Sequence, residues 1–393
     1  MTQLHAADPR WAIPPRTGTR TPGWAAMRRI LAVRLDALGD VLMTTPALRA
    51  IRSSARQAEL TLLTSTAGAA AARHVPELDE VIVHDPAWMP SARQAPDVDL
   101  GLVARLRDRG FDGAIVFTVH TQSPLPVAVL LRLAGVERVL AHCRENPYGL
   151  VSDWVPEPEP GEATRHEVRR QLDLVGRVGF TTDDERLSFR VPPGAMRRLR
   201  DEVLPRLGIR PGDGRAWAVV HPGASAPSRR YPAASFAAAC GRLAREHGIE
   251  ILFTGSAEEV ELVESIGASM DAPSMSLAGE LSLGELAALL AVAPLLIANN
   301  TGPVHLAAAL GTPVVDLYAL TNPQHTPWIV PSRVLNVDVP CAGCRRSVCP
   351  LGHGACLSLV PPDRVVRAAL ELLDEAPAYG RTTPPATRVT TAA

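Results

Sequence analysis

A chain of 393 residues is longer than one ordinary hydrophobic core organises and fits two domains with a cleft between them. Apolar residues make up 46% and charged residues 21%, which excludes a fibrous or disordered protein. The net charge of −1 provides no general field to attract nucleic acid, so an anionic ligand must be gripped by a local site.

All 40 basic side chains are arginine, so phosphate contacts must come from guanidinium forks, backbone amides or hydroxyls. Residues 1–26 hold prolines and arginines but no apolar signal region and read as a flexible tail, which implies a cytoplasmic protein. The longest apolar runs, Leu125–Leu133 and Leu286–Leu296, fall short of the ~18 residues a membrane span requires. They are expected as buried helices, with at most peripheral membrane contact.

Arg29–Leu35 reads as a buried strand, followed by the loop Asp36–Asp40 and an apolar helix over Val41–Ile51, with Thr45 as cap and Pro46 in the first turn. Further strands are expected at Leu60–Thr64, Val81–His84 and Ala114–Val119, with helices at Leu102–Asp108 and Pro126–Leu133. A proline- and glycine-rich stretch near Val191–Gly214 marks a crossing. A second alternation follows: strand Trp217–His221, helix Ala233–His247, strand Ile249–Thr254, helices Ala257–Ala268 and Leu283–Val292, strand Leu295–Ala298, helix Val304–Leu310, strand Pro313–Leu317. Strands alternating with helices imply an α/β protein with two doubly wound parallel sheets. The divisions are an N-terminal domain at 27–195, a linker at 196–214, a C-terminal domain at 215–375 and a second flexible tail at 376–393. In such sheets ligands bind at the carboxyl ends of strands, which directs attention to the loops after Leu35, His221, Thr254 and Ala298.

The first of these loops places two carboxylates, Asp36 and Asp40, at a strand end, and Gly39 permits close approach. Asp40 can accept a proton from a hydroxyl or simply cap the helix. After the strand ending at His221, the small residues Gly223, Ala224 and Ser225 expose backbone amides, and Arg229 and Arg230 add charge, a combination that suits a diphosphate. An ordinary strand-to-helix turn with solvated arginines is the alternative. Gly255 precedes Ser256, which stands three residues before Glu259 at capping-box spacing. Asn299, Asn300, Thr301 and Gly302 at a strand end can cap a helix and bind sugar or phosphate, while His305 reads as a packed core histidine. Cys341, Cys344, Cys349 and Cys356, spaced C-x2-C-x4-C-x6-C, read as four ligands of a metal finger or as reduced thiols.

The segments RLDALGDVLMTTPALRAIR, HPGASAPSRRYPAASFA, LFTGSAEE, LAGELSLGELAALL and NNTGPVHLAAALGTPVVDLY, taken in this order, resemble glycosyltransferase family 9, the heptosyltransferases. The resemblance implies a GT-B fold of two Rossmann-like domains facing a cleft, with the acceptor on the first and an ADP-sugar on the second. It also implies heptose transfer to lipopolysaccharide core with inversion and without a catalytic metal. Position by position, it puts the general base on Asp40 and donor contacts on His221, Gly223, Ser225, Arg229, Arg230, Gly255, Glu259, Asn300, Thr301, Gly302 and His305. It extends to the cysteine cluster, where structural zinc or iron is expected. Two departures stand out: Arg229 where many relatives carry lysine, and Asn300 where many carry aspartate. The acceptor is left open between a glycan, a protein and a small metabolite, and a catalytically silent nucleotide-sugar binder is the reading of another class.

Overall fold

The computed structural model describes residues 23–88, 97–159, 164–211 and 215–379. The first half runs β1 (Arg29–Arg34), α1 (Leu38–Ser54), β2 (Glu59–Thr64), α2 (Thr66–Ala72), β3 (Glu80–Val83), α3 (Asp97–Arg109), β4 (Gly113–Val116), α4 (Leu125–Leu133), β5 (Val139–Cys143), β6 (Asp153–Pro156) and α5 (Glu167–Gly176). The crossing carries α6 (Pro193–Arg198) and α7 (Leu204–Arg206). The second half runs β7 (Trp217–His221), α8 (Ala233–His247), β8 (Glu250–Phe253), α9 (Val260–Ala268), β9 (Met275–Ser276), α10 (Leu283–Val292), β10 (Leu296–Asn299), α11 (Gly302–Leu310), β11 (Val314–Leu317), β12 (Ser332–Leu335), α12 (Ala355–Ser358) and α13 (Pro362–Tyr379).

These strands form two six-stranded sheets, ordered β3-β2-β1-β4-β5-β6 and β12-β11-β10-β7-β8-β9. Every pairing is parallel. Helices cover both faces of a parallel sheet, so central strands are continuously apolar, as in Ile30–Val33 and Leu296–Ala298. Strand order reverses between β1 and β4 and between β7 and β10, which makes the loops after these strands the ligand-binding positions of a Rossmann-like sheet.

The α/β expectation holds, with differences of detail. Helix α1 begins at Leu38 with Ala37 as its cap, so Pro46 lies inside it rather than in its first turn. Proline at 46 has no N–H to give the carbonyl of Leu42, and the Thr45 hydroxyl donates to that carbonyl instead, at 2.7 Å. The expected helix Ala257–Ala268 opens as a 3-10 turn over Ala257–Glu259 before α9. The stretch expected as linker is largely helical, with Leu199, Val203 and Leu204 buried. There α6 packs on α10, where a Cβ on Gly284 would stand 3.0 Å from Pro192 Cγ.

At the amino end, Trp24 is buried edge-on to Phe180, so the segment from 23 onward is anchored. The remainder of the expected tail, 1–22, lies outside the described residues. At the other end α13 continues to Tyr379, and 380–393 likewise lie outside. No described helix is long and apolar enough to cross a membrane. One core cluster includes Val41, Leu42 and Leu48 of α1 together with Val304, Leu306 and Ala307 of α11, so the two sheets share packed apolar side chains.

Candidate active site between two helix N-termini

The loop after β1 delivers Asp40 in the first turn of α1, where the positive end of the helix favours a carboxylate. Arg34 ends β1 fully buried, and a buried cation must find anions. It finds three: NH2 donates to Asp40 Oδ1 at 3.0 Å, NH1 donates to Glu167 Oε1 at 2.9 Å, and Nε stands 2.9 Å from Asp36 Oδ2, off a hydrogen-bond line. Burial pushes the Asp40 carboxyl above its ordinary range; Arg34 opposes this and the charge of Glu167 adds to it. Asp36 is raised in the same way. Burial would raise Glu167 too, but Arg34 and Arg170 outweigh it and hold that carboxyl down at about 2. Glu167 is therefore the firmly ionised partner, while Asp40 and Asp36, with side chains 19% and 12% exposed, are the two that reach the surface.

The loops after β7 and β8 assemble around Glu259. Its Oε2 accepts the Ser256 amide at 2.8 Å, completing the expected capping box, and stands 3.7 Å from His221 Nε2. A Cβ on Gly223 would meet Glu259 Oε1 at 1.9 Å, and one on Gly255 would meet Glu259 Cβ at 3.2 Å, so both glycines serve the close passage of this side chain. His221 is buried, which lowers its pKa, and its Nδ1 lies 3.1 Å from Thr254 Oγ1. Ser225 is exposed on the turn. The two arginines differ: Arg230 donates through Nε to the Ala224 carbonyl at 2.8 Å, whereas Arg229 lines a crevice with Asn300, Tyr318, Thr321 and His325.

The turn into α11 divides its polar residues between structure and site. Asn299 is structural, accepting the Tyr231 amide at 2.9 Å and donating to the Pro222 carbonyl at 2.7 Å. Asn300 donates to Asp316 Oδ2 at 3.0 Å and to the His325 carbonyl at 2.9 Å. Asp316 on β11 is fully buried, and burial raises its carboxyl well above the ordinary range. Thr301 caps α11 with no side-chain capping bond. The amide of Gly302 at the start of α11 thus stands at a helix N-terminus suited to an anion. His305 is buried, as expected of a packed histidine, and burial drives its pKa to about 3.

The N-termini of α1 and α11 meet. A Cβ on Gly39 would stand 2.6 Å from His305 Cδ2, and one on Gly302 would stand 3.0 Å from Leu38 Cδ2. The loop after β11 closes the junction: Gln324 accepts the Glu167 amide on its carbonyl at 3.0 Å and donates to Glu159 Oε2 at 2.6 Å. Trp328 stacks on His166. Sequence reasoning singled out Asp40 and the two loops but missed Arg34, Glu167, Asp316 and His325.

The cysteine segment gives the expected metal finger no support in the positions its side chains take. All six cysteines are free, and among the described residues no group of three or more His, Cys, Asp or Glu is placed to hold a metal ion. Cys341, Cys344, Cys349 and Cys356 are thus not gathered into a four-ligand group in this structure. Gly343, Arg345, Gly352 and Gly354 take left-handed backbone conformations in this segment, and Cys356 packs against the core of the second sheet. The segment touches the turn after β7: Ser228 donates its amide to the Ser347 carbonyl at 3.0 Å and its hydroxyl to the Arg346 carbonyl at 2.7 Å.

Comparison with known proteins matches residues 100–354 to the model of "Glycosyltransferase family 9 (heptosyltransferase)". Lipooligosaccharide heptosyltransferase 2 of Campylobacter jejuni is 29% identical over 160 residues, 39% of this chain and 50% of that protein. The chain spans half or less of the length of the first curated relatives it matches. Lipopolysaccharide heptosyltransferase 1 of Pseudomonas aeruginosa is 26% identical over 343 residues, covering 82% of this chain and 87% of the relative. The solved structure of E. coli ADP-heptose lps heptosyltransferase II shares the fold, with a TM-score of 0.68 at 22% identity over 88% of this chain and 99% of that one.

Proposed function

Because the chain belongs to glycosyltransferase family 9, we propose that it is an inverting transferase moving heptose, or a similar sugar, from an ADP-linked donor to an acceptor hydroxyl of a lipopolysaccharide core or related glycan. The observation that carries this reading is the placement of Asp40 in the first turn of α1, against the N-terminus of α11 through the Gly39–His305 contact. A base then lies at the junction where a donor held by the second sheet meets an acceptor held by the first.

In this reading Asp40 takes the proton of the acceptor hydroxyl as its oxygen attacks the anomeric carbon, and the bond from that carbon to the diphosphate oxygen breaks on the opposite face. A single displacement of this kind inverts the anomeric centre. The departing diphosphate gathers negative charge, which in this reading Arg229 and the Gly302 amide receive, with Arg230 contributing from the turn and Thr301 once its hydroxyl turns from the Asn299 carbonyl it now donates to at 3.1 Å. His221 and Glu259 shape the loop on which the nucleotide rests.

The test is a calorimetric panel of ADP-, GDP- and UDP-linked sugars, followed by NMR of the product formed with a core oligosaccharide acceptor. Selective binding of ADP-heptose and a product of inverted configuration support the reading. Preference for a different nucleotide, or retained configuration, overturns it.

A further inference from the structure

Each nitrogen of Arg34 faces a different carboxylate: NH2 and NH1 hydrogen-bond Asp40 and Glu167 at 3.0 and 2.9 Å, and Nε forms an ion pair with Asp36 at 2.9 Å without a hydrogen bond. A base needs the opposite of what a one-to-one partnership with a buried guanidinium provides. Such a pair typically lowers a carboxyl pKa by about 1–3 units and leaves a poor proton acceptor. Here one cation is shared among three anions. Glu167 is the innermost of the three, wholly buried, with Oε1 also accepting from Gln171 at 2.5 Å and Oε2 without a partner among the described residues.

We infer that Glu167 and Asp36 are positioning residues for the base: by occupying two nitrogens of Arg34 they keep Asp40 from being a fully compensated ion pair, and so leave it able to take a proton from the acceptor hydroxyl. The inference rests on the assignment of Asp40 as base. Neither residue touches the reacting atoms in this account; both act through Arg34. Burial and the charge of Glu167 raise Asp40 while Arg34 lowers it, the balance that the sharing predicts.

The other groups around Asp40 do not disturb this division. From α11 comes His305 and from the loop after β11 comes His325, driven down by burial to about 3 and about 4, and hence uncharged above pH 5. From α5 comes Arg170, which pairs with Glu157 and, 3.9 Å from Glu167 Oε1, also helps to keep Glu167 ionised. The Glu167 amide also donates to the Gln324 carbonyl in the loop after β11 at 3.0 Å, which ties the start of α5 to the other half of the molecule.

The experiment measures kcat/KM against pH for the full chain with ADP-heptose and a core oligosaccharide, in wild type, Glu167→Gln, Glu167→Asp, Asp36→Asn and Asp40→Asn. Removing the Glu167 charge frees Arg34 for Asp40 and removes a repulsion, so the acid limb of Glu167→Gln should move to lower pH by about one unit. The plateau rate should fall a few-fold as the base weakens, while Glu167→Asp, which keeps the charge, should retain the wild-type limb. Asp36→Asn should shift the limb in the same direction and carries the test alone if Glu167→Gln does not fold. An unmoved or raised acid limb in a folded variant overturns the inference while leaving the base in place. Wild-type turnover by Asp40→Asn overturns the base assignment and this inference with it.

Discussion

Gly39 lies so close under the imidazole of His305 that a Cβ at position 39 would stand 2.6 Å from His305 Cδ2. The ring is buried and cannot swing into solvent. Gly39→Ala is therefore expected to push α1 and α11 apart. Overpacking of this kind costs about 1–3 kcal/mol, and a misplacement near 1 Å can cost about 10²-fold in rate. A lowered melting temperature with kcat down at least tenfold is expected, and His305→Ala in the same chain should recover stability. Unchanged stability in the single variant contradicts the contact.

The two arginines of the donor loop should separate in function. Arg230 is committed to the Ala224 carbonyl, whereas Arg229 faces the crevice beside Asn300 and His325. Charge-assisted hydrogen bonds are worth about 1.5–3 kcal/mol, so Arg229→Ala should weaken ADP binding roughly 10- to 100-fold. Arg230→Ala should weaken it less. Calorimetric titration of ADP into both variants checks the order, and the reverse order would move the diphosphate out of the crevice.

Acid stability should reflect the buried histidines. Burial lowers His142 and His325 from 6.5 to about 4 and His305 to about 3. A folded-state value below the unfolded one means stability that is full above pH 6.5 and lost as pH falls toward the folded value; each unit of displacement is worth about 1.4 kcal/mol. Melting temperature should thus drop between pH 6.5 and pH 4. Asp316, raised by burial, works in the opposite sense, so the comparison is with His325→Gln, which cannot take the proton and should lose less. Equal losses in both proteins would remove His325 from the explanation.

The thiols should react in a definite order. Backbone amides, that of Gly354 foremost, hold the Cys349 thiol below its ordinary range, while burial lifts Cys143 to about 11 and Cys240 to about 12. Thiolate content governs reaction with a thiol-directed reagent. Mass spectrometry after brief labelling at neutral pH should find Cys349 modified first, and Cys143 and Cys240 only after denaturation. Early labelling of Cys240 would contradict the packing of the second core, where it is fully buried.

Much of the fold was legible because parallel strands covered on both faces leave apolar runs, and β7, α8 and α10 match the expected spans residue for residue. Strands β5 and β6 were not seen: His142 and Cys143 end one, and Asp153, Trp154 and Pro156 make up most of the other, without an apolar run. Thr45 misled in another way, since its position before Pro46 suggests a cap while its hydroxyl repairs the gap the proline leaves. Within the site, Asp40 was visible from its glycine and strand end. Arg34 carried a signal that went unused, a charge closing an apolar strand, which implies a buried cation in need of carboxylates. Glu167 carried none, because in a helix reading EVRRQLDLVG a buried glutamate looks like its solvated neighbours until the tertiary fold sets it against β1. The cysteine spacing implied ligands, and the free thiols of Cys341, Cys344, Cys349 and Cys356 leave that reading where the spacing put it.

The central claim is that Asp40 removes the acceptor proton while the second sheet holds the donor. Single-turnover transfer from ADP-heptose by Asp40→Asn, with ADP affinity measured on the same protein, tests it most directly. Loss of a general base costs about 10²- to 10⁴-fold. The account predicts a loss of that size with ADP affinity unchanged within about threefold, about 0.6 kcal/mol. Transfer at close to the wild-type rate, in a variant that binds ADP normally, would contradict it.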